Sequence, residues 1–66
     1  MQIRFVGRDH DKIIHFDEKI SIREALVKAT ILPSTVIVSL GDEILPHSTK
    51  IKSDIELNVI TVSSGG

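Results

Sequence analysis

Apolar and polar positions alternate over the first six residues, with Met1, Ile3 and Phe5 on one side and Gln2, Arg4 and Val6 on the other. That is the period of a half-buried β-strand. Gly7-Arg8-Asp9-His10-Asp11 supplies turn chemistry, and the apolar pattern resumes from Ile13 to Phe16, which predicts an N-terminal hairpin. The period then changes. Ile22, Ala25, Leu26 and Ala29 gather on one helical face, and Ser21 stands three residues before Glu24 in the spacing of a capping box, so a helix is predicted from about Ser21 to Thr30. Pro33 stops it, because proline lacks an amide proton and pushes the preceding residue towards extended geometry. The β-branched run Val36 to Leu40 ends at Gly41-Asp42, and Glu43 to Leu45 resumes as a short strand before Pro46, giving a second hairpin. His47 to Asp54 is polar apart from Ile51 and reads as a loop with that one residue tucked inward. In the last strand, Ile55, Leu57 and Val59 alternate with Glu56, Asn58 and Ile60 in a pattern that carries on to Val62.

The order is two strands, a helix, two strands and a final strand, an α+β arrangement in which one sheet covered by one helix buries a single apolar face per element. The expected inward residues are Ile3, Phe5, Ile14, Phe16, Ile22, Leu26, Ala29, Val36, Val38, Leu45, Ile51, Ile55, Leu57 and Val59. Residues 1–62 are expected to form one domain, with Ser63-Ser64-Gly65-Gly66 expected as a flexible polar tail.

Composition narrows the function classes. The apolar content rests on eleven Ile, six Val and five Leu against only Phe5 and Phe16, and the chain has no cysteine. Neither a disulfide framework nor a cysteine metal cage is available to brace so short a chain, so aliphatic burial must hold it together. A net charge of −1 with acids and bases interspersed, and no Trp or Tyr, argues against a direct nucleic-acid surface. No stretch has the length of a membrane span and no signal-peptide core follows Met1, which makes the cytoplasm the expected compartment.

Candidate chemistry is sparse. Asp9-His10-Asp11 with His15 offers metal-ligand types, but the cluster lies in a predicted turn without a closed ligand set and reads as a solvated turn. Ser21 with Glu24 is a helix cap before it is a nucleophile and base. The five lysines, Lys12, Lys19, Lys28, Lys50 and Lys52, read as solvated charges. No phosphate cradle, carboxylate pair or nucleophilic triad can be assembled, so no catalytic residue is assigned and the chain is not expected to be an enzyme. The terminus is the exception. Two glycines without β-carbons can lie extended in a narrow channel and deliver the Gly66 carboxylate to a reagent that rejects bulkier residues. Alone such a pair is weak evidence, and its value depends on the body that presents it.

That body resembles a ubiquitin-like β-grasp protein, and more narrowly the small sulfur carriers and archaeal small modifiers, relatives of the thiamine sulfur carrier and of the small subunit of molybdopterin synthase. The resemblance spans the chain: an opening strand at residue 1, a capped helix near residue 21, Leu32-Pro33 followed by Val36-Ile37-Val38, Gly41-Asp42-Glu43 in the turn, Ser53-Asp54-Ile55-Glu56 entering the last strand, and Ser63-Ser64-Gly65-Gly66. It implies a mixed four- to five-stranded sheet with one helix on one face, the first and last strands pairing in parallel at its centre. If Met1 lies beside Ile55, then Val6 lies near Ile60, and Val6, Ile37, Ile60 and Val62 are expected to form an apolar partner-binding patch on the open sheet face.

The resemblance also implies a chemistry. A ubiquitin-activating-type (E1-like) adenylating enzyme uses ATP and Mg²⁺, neither bound by this chain, to activate Gly66, with Gly65 giving clearance beside the reacting centre. A sulfur donor such as a desulfurase or rhodanese then makes a thiocarboxylate, or a lysine of a target protein takes the acyl group as an isopeptide. The implied partners are that enzyme, the sulfur donor, and a downstream sulfur-acceptor enzyme or conjugated proteins, with the carrier itself a monomer. The acceptor stays open between tRNA thiolation, thiamine and molybdopterin synthesis. The alternative from another class is a β-grasp interaction module that binds a partner non-covalently and whose glycine pair is incidental.

Overall fold

The computed structural model describes residues 1–62. Five strands, β1 (Gln2–Val6), β2 (Asp11–His15), β4 (Val36–Leu40), β5 (Glu43–Leu45) and β7 (Ile55–Thr61), form one sheet in the order β2-β1-β7-β4-β5. β1 and β7 are parallel, and the other neighbours are antiparallel. Helix α1 (Ile22–Lys28) adds Ile22, Ala25 and Leu26 to the buried core. This is an α+β β-grasp fold.

Strand alternation decides which side chains meet the helix. Ile3 and Phe5 on β1, Ile14 on β2, Val36 and Val38 on β4, and Leu57 and Val59 on β7 are buried with Ile22, Ala25, Leu26 and Ala29 in one cluster. The cluster also holds Ile20, Ile31, Phe16 and Ile51, while Leu45 and Ile55 pack against it only partly buried. Ile20, Ala25 and Ile31 extend the expected core. Ile20 and Ile31 flank the helix at either end, where neither the strand period nor the helix period marks a residue as inward.

The helix start is fully used by its surroundings. Ser21 Oγ accepts the Glu24 amide at 3.1 Å, and the Ser21 hydroxyl is 3.1 Å from Glu24 Oε1, to which it donates. The side-chain half of the box thus runs from hydroxyl to carboxylate, where the usual form has the carboxylate reaching the cap's own amide. The amides of Ile22 and Arg23 donate to the Thr49 and His47 carbonyls, each at 3.0 Å, so three of the donors that a helix start leaves unpaired have partners. Those carbonyls belong to the segment expected to be a plain loop. It contains a two-residue strand, β6 (Lys50–Ile51), paired antiparallel with β3 (Ile20–Ser21). Ile51 is buried as expected, but the small second sheet that buries it comes from residues thirty positions apart, and two residues are too few to show a period.

The helix end is a Schellman turn: the Thr30 amide donates to the Val27 carbonyl at 3.0 Å and the Ile31 amide to the Leu26 carbonyl at 2.9 Å, with Ile31 and Leu26 both buried. The left-handed position is Thr30, at φ 60°. A β-branched residue is strained there, where glycine is the usual occupant. Thr30→Gly is therefore expected to stabilise the domain by about 1 kcal/mol and to raise Tm by roughly 4–8 °C, measured by thermal unfolding followed by circular dichroism. An unchanged or lower Tm contradicts the strain.

Register differs from the sequence expectation in one place. Ile3, not Met1, is the partner of Ile55, so Val6 stands beside Asn58 instead of near Ile60. Met1 precedes the strand, and its carbonyl accepts the Phe16 amide at 2.9 Å, while the Gln2 amide donates to Asp54 Oδ1 at 2.8 Å, a side-chain bond that pins the start of β1 to the residue before β7. The shift is two residues, so every side chain keeps its expected face.

Candidate functional site

The face of the sheet away from the helix carries the outward residues of five strands. Its register builds rows. Val6 of β1 stands beside Asn58 of β7, Asn58 is the partner of Ser39 on β4, and Ser39 is the partner of Ile44 on β5. In the next row Ile37 of β4 faces Ile60 of β7. On the other side Arg4 lies between Ile13 and Glu56. The face is thus zoned, apolar towards the end of β7 and charged towards its start.

In the charged zone Arg4 Nε is 3.4 Å from Asp11 Oδ1 and Arg4 Nη1 is 3.7 Å from Glu56 Oε2. All three side chains are largely exposed, and contacts of this kind stabilise a fold by little. Their consequence here is local: they keep the only arginine of β1 turned towards carboxylates and away from the apolar zone.

In that apolar zone Ile60 is 49% exposed and Ile37 half-buried, directly opposite one another. Val62 follows β7 with its side chain 39% exposed and its amide donating to the Thr35 carbonyl at 2.9 Å. Val6 does not adjoin Ile60 in the ladder, but both line an open groove of about 690 Å³ with Gly7, Ser39, Asn58 and Gly41. Of the four expected patch residues, Ile37 and Ile60 are direct partners, Val6 is set off from them by Asn58, and Val62 follows the end of the strand.

The sequence reading missed Ile44, which at 65% exposed is one of the most exposed large apolar residues of the fold. Its signal was present. Gly41 has φ +61°, the turn between Leu40 and Glu43 is two residues long, and glycine at the first central position suits the primed turns that join twisted strands. That loop length fixes Ser39 opposite Ile44, and because Leu45 is inward, Ile44 must be outward.

The remaining candidates fall elsewhere. Asp11 is held by Arg4, His15 lies opposite Gln2 at the far end of β1, and His10 Nε2 is 3.2 Å from Thr61 Oγ1. Among the described residues no three His, Asp or Glu side chains converge as metal ligands. Nor does any helix there have the length and apolarity to cross a membrane. Gly65 and Gly66 lie outside the described residues.

Compared with protein-family models and with curated proteins, the chain matches none.

Proposed function

We propose that the protein is a ubiquitin-like sulfur carrier or protein modifier whose working group is the Gly66 carboxylate. The observation that carries the reading is the course of β7. This strand lies between β1 and β4, its outward residue Ile60 belongs to the apolar zone, and it leads directly into Val62 and the Ser63-Ser64-Gly65-Gly66 sequence. One element thus joins a recognition surface to a terminus able to enter a narrow channel.

A free carboxylate is a poor electrophile, since its charge repels nucleophiles and oxide is a very poor leaving group. An activating enzyme overcomes this by transferring the AMP group of ATP to the carboxylate with release of pyrophosphate, Mg²⁺ neutralising the phosphates. A persulfide sulfur then attacks the acyl carbon and expels AMP, and a thiol cleaves the resulting acyl disulfide to leave the thiocarboxylate. If a lysine amine attacks instead, loss of AMP and a proton gives an isopeptide. The chain has no cysteine, so it cannot carry sulfur as a persulfide of its own, and sulfur transfer must use the terminus. In both routes this protein is the substrate, and the nucleotide and metal sites belong to its partner.

Intact-mass measurement tests the reading. Protein isolated from its own cells is expected to end at Gly66. After incubation with ATP, Mg²⁺, its activating enzyme and a sulfur donor, it is expected to gain the mass difference between sulfur and oxygen. Glycine pairs left on target lysines after proteolysis mark the conjugation branch. Native protein with further residues fixed beyond Gly66, or the absence of both modifications, overturns the proposal and leaves non-covalent binding through the same face.

A further inference from the structure

Beyond Asn58, β7 runs three residues further with ladder partners on one side only. Thr61 pairs with Val36 and Ile60 with Ile37, whereas β1 has ended at Val6. The turn that follows β1 occupies the vacated flank. Gly7 lies so close to β7 that an added methyl group would overlap the Val59 carbonyl oxygen, which explains glycine at this position without any appeal to an unusual φ. The turn closes on itself, the Gly7 amide donating to the His10 carbonyl at 2.8 Å and the His10 amide to the Gly7 carbonyl at 3.4 Å. From it the His10 ring reaches across, with Nε2 3.2 Å from Thr61 Oγ1. On the opposite flank the Val62 amide is held by the Thr35 carbonyl at 2.9 Å.

We infer that His10 and Thr61 form a clamp that fixes the end of β7 and so sets where the segment after Val62 leaves the domain. The inference rests on the functional reading above for its purpose, since an exit point matters when the residues beyond it must thread into an enzyme. His10 is a positioning residue, distant in role from the reacting carbonyl. The clamp adds little to global stability, because an exposed side-chain hydrogen bond contributes modestly and the buried cluster on the helix side holds the fold. Its effect is confined to the last residues of the strand. A hydroxyl both donates and accepts, so Thr61 can bond either tautomer of the neutral ring as well as the imidazolium, and the clamp does not depend on one protonation state.

The test uses the full chain as wild type, His10→Leu, Thr61→Val, the double variant, and His10→Gln, which keeps a polar side-chain end. Amide hydrogen exchange at Val62 is measured by NMR against the amides of Leu57 and Val38 as core references. Each single loss is expected to speed Val62 exchange by about threefold to tenfold with the core references unchanged. The double variant should add little to either single one, and His10→Gln should recover part of the protection. In parallel, ATP–pyrophosphate exchange with the activating enzyme is expected to show a fall in kcat with KM unchanged, because the apolar face is intact while delivery of the terminus is loosened. Unchanged Val62 exchange in both single variants overturns the clamp, as does an equal rise at all the amides. Faster Val62 exchange with wild-type kcat overturns its positioning role. If wild-type protein is never adenylated, the functional reading fails by itself, while the exchange measurements still decide whether the clamp exists.

Discussion

Leu57→Ala is expected to destabilise the domain by about 2–5 kcal/mol, a large share of what holds it folded. Leu57 is fully buried on the strand that lies between β1 and β4, in register with Phe5, which is equally buried. Truncation removes the transfer free energy of the lost carbons and leaves a cavity where both strands meet the helix, a loss of about 2–5 kcal/mol. A chain of 66 residues has a total stability of roughly 3–10 kcal/mol, so the variant forfeits between a fifth and all of it. No disulfide exists to brace the remainder. In a domain of this size the loss corresponds to a drop in Tm of about 10–40 °C. Thermal and urea unfolding check the expectation, with Leu57→Met as the volume-conserving control, expected to cost less than about 1.5 kcal/mol. A Leu57→Ala Tm within a few degrees of wild type contradicts the central place given to β7.

The same strand shows why much of the fold was legible. A strand with one face on the core and one towards solvent must alternate, and Ile55 to Val59 does so for five residues, the clearest such run in the chain. The helix was legible for a similar reason, with Ser21 marking its start. Its end at Lys28, with Ala29 as cap, came slightly before the expected limit because the Schellman turn that closes it has Thr30 at the left-handed position, where the sequence shows no glycine to mark a stop. What escaped the sequence was what depends on pairs of distant residues. The β3–β6 sheet joins Ile20 to Ile51, the Gln2–Asp54 bond joins the start of β1 to the residue before β7, and the His10–Thr61 contact joins residues 51 positions apart. None leaves a periodic trace. Ile44 lies between these cases, since turn length and alternation together determine its side of the sheet but neither does so alone.

Ile60→Lys is expected to raise KM for adenylation by about tenfold to a hundredfold, the equivalent of losing about 1.4–2.8 kcal/mol at an interface anchor, with kcat little changed. Ile60 is half exposed and opposite Ile37, so a lysine there keeps its ammonium in water in the free protein and disturbs the core little. Against an apolar partner surface that charge must be desolvated or the contact must open, and both outcomes weaken the complex without touching the terminus. Ile13→Lys is the matched control. Ile13 is 51% exposed on the same sheet face, but it stands beside Arg4 in the charged zone, one strand removed from β7. The two variants carry the same added charge, so net electrostatics moves both alike and a local requirement for apolar contact moves only one. Unfolding of each variant, measured alongside, is expected to lie within a few degrees of wild type. Equal KM values for Ile60→Lys and wild type, with both folded, remove the apolar zone from recognition; equal increases in the two variants assign the effect to charge instead.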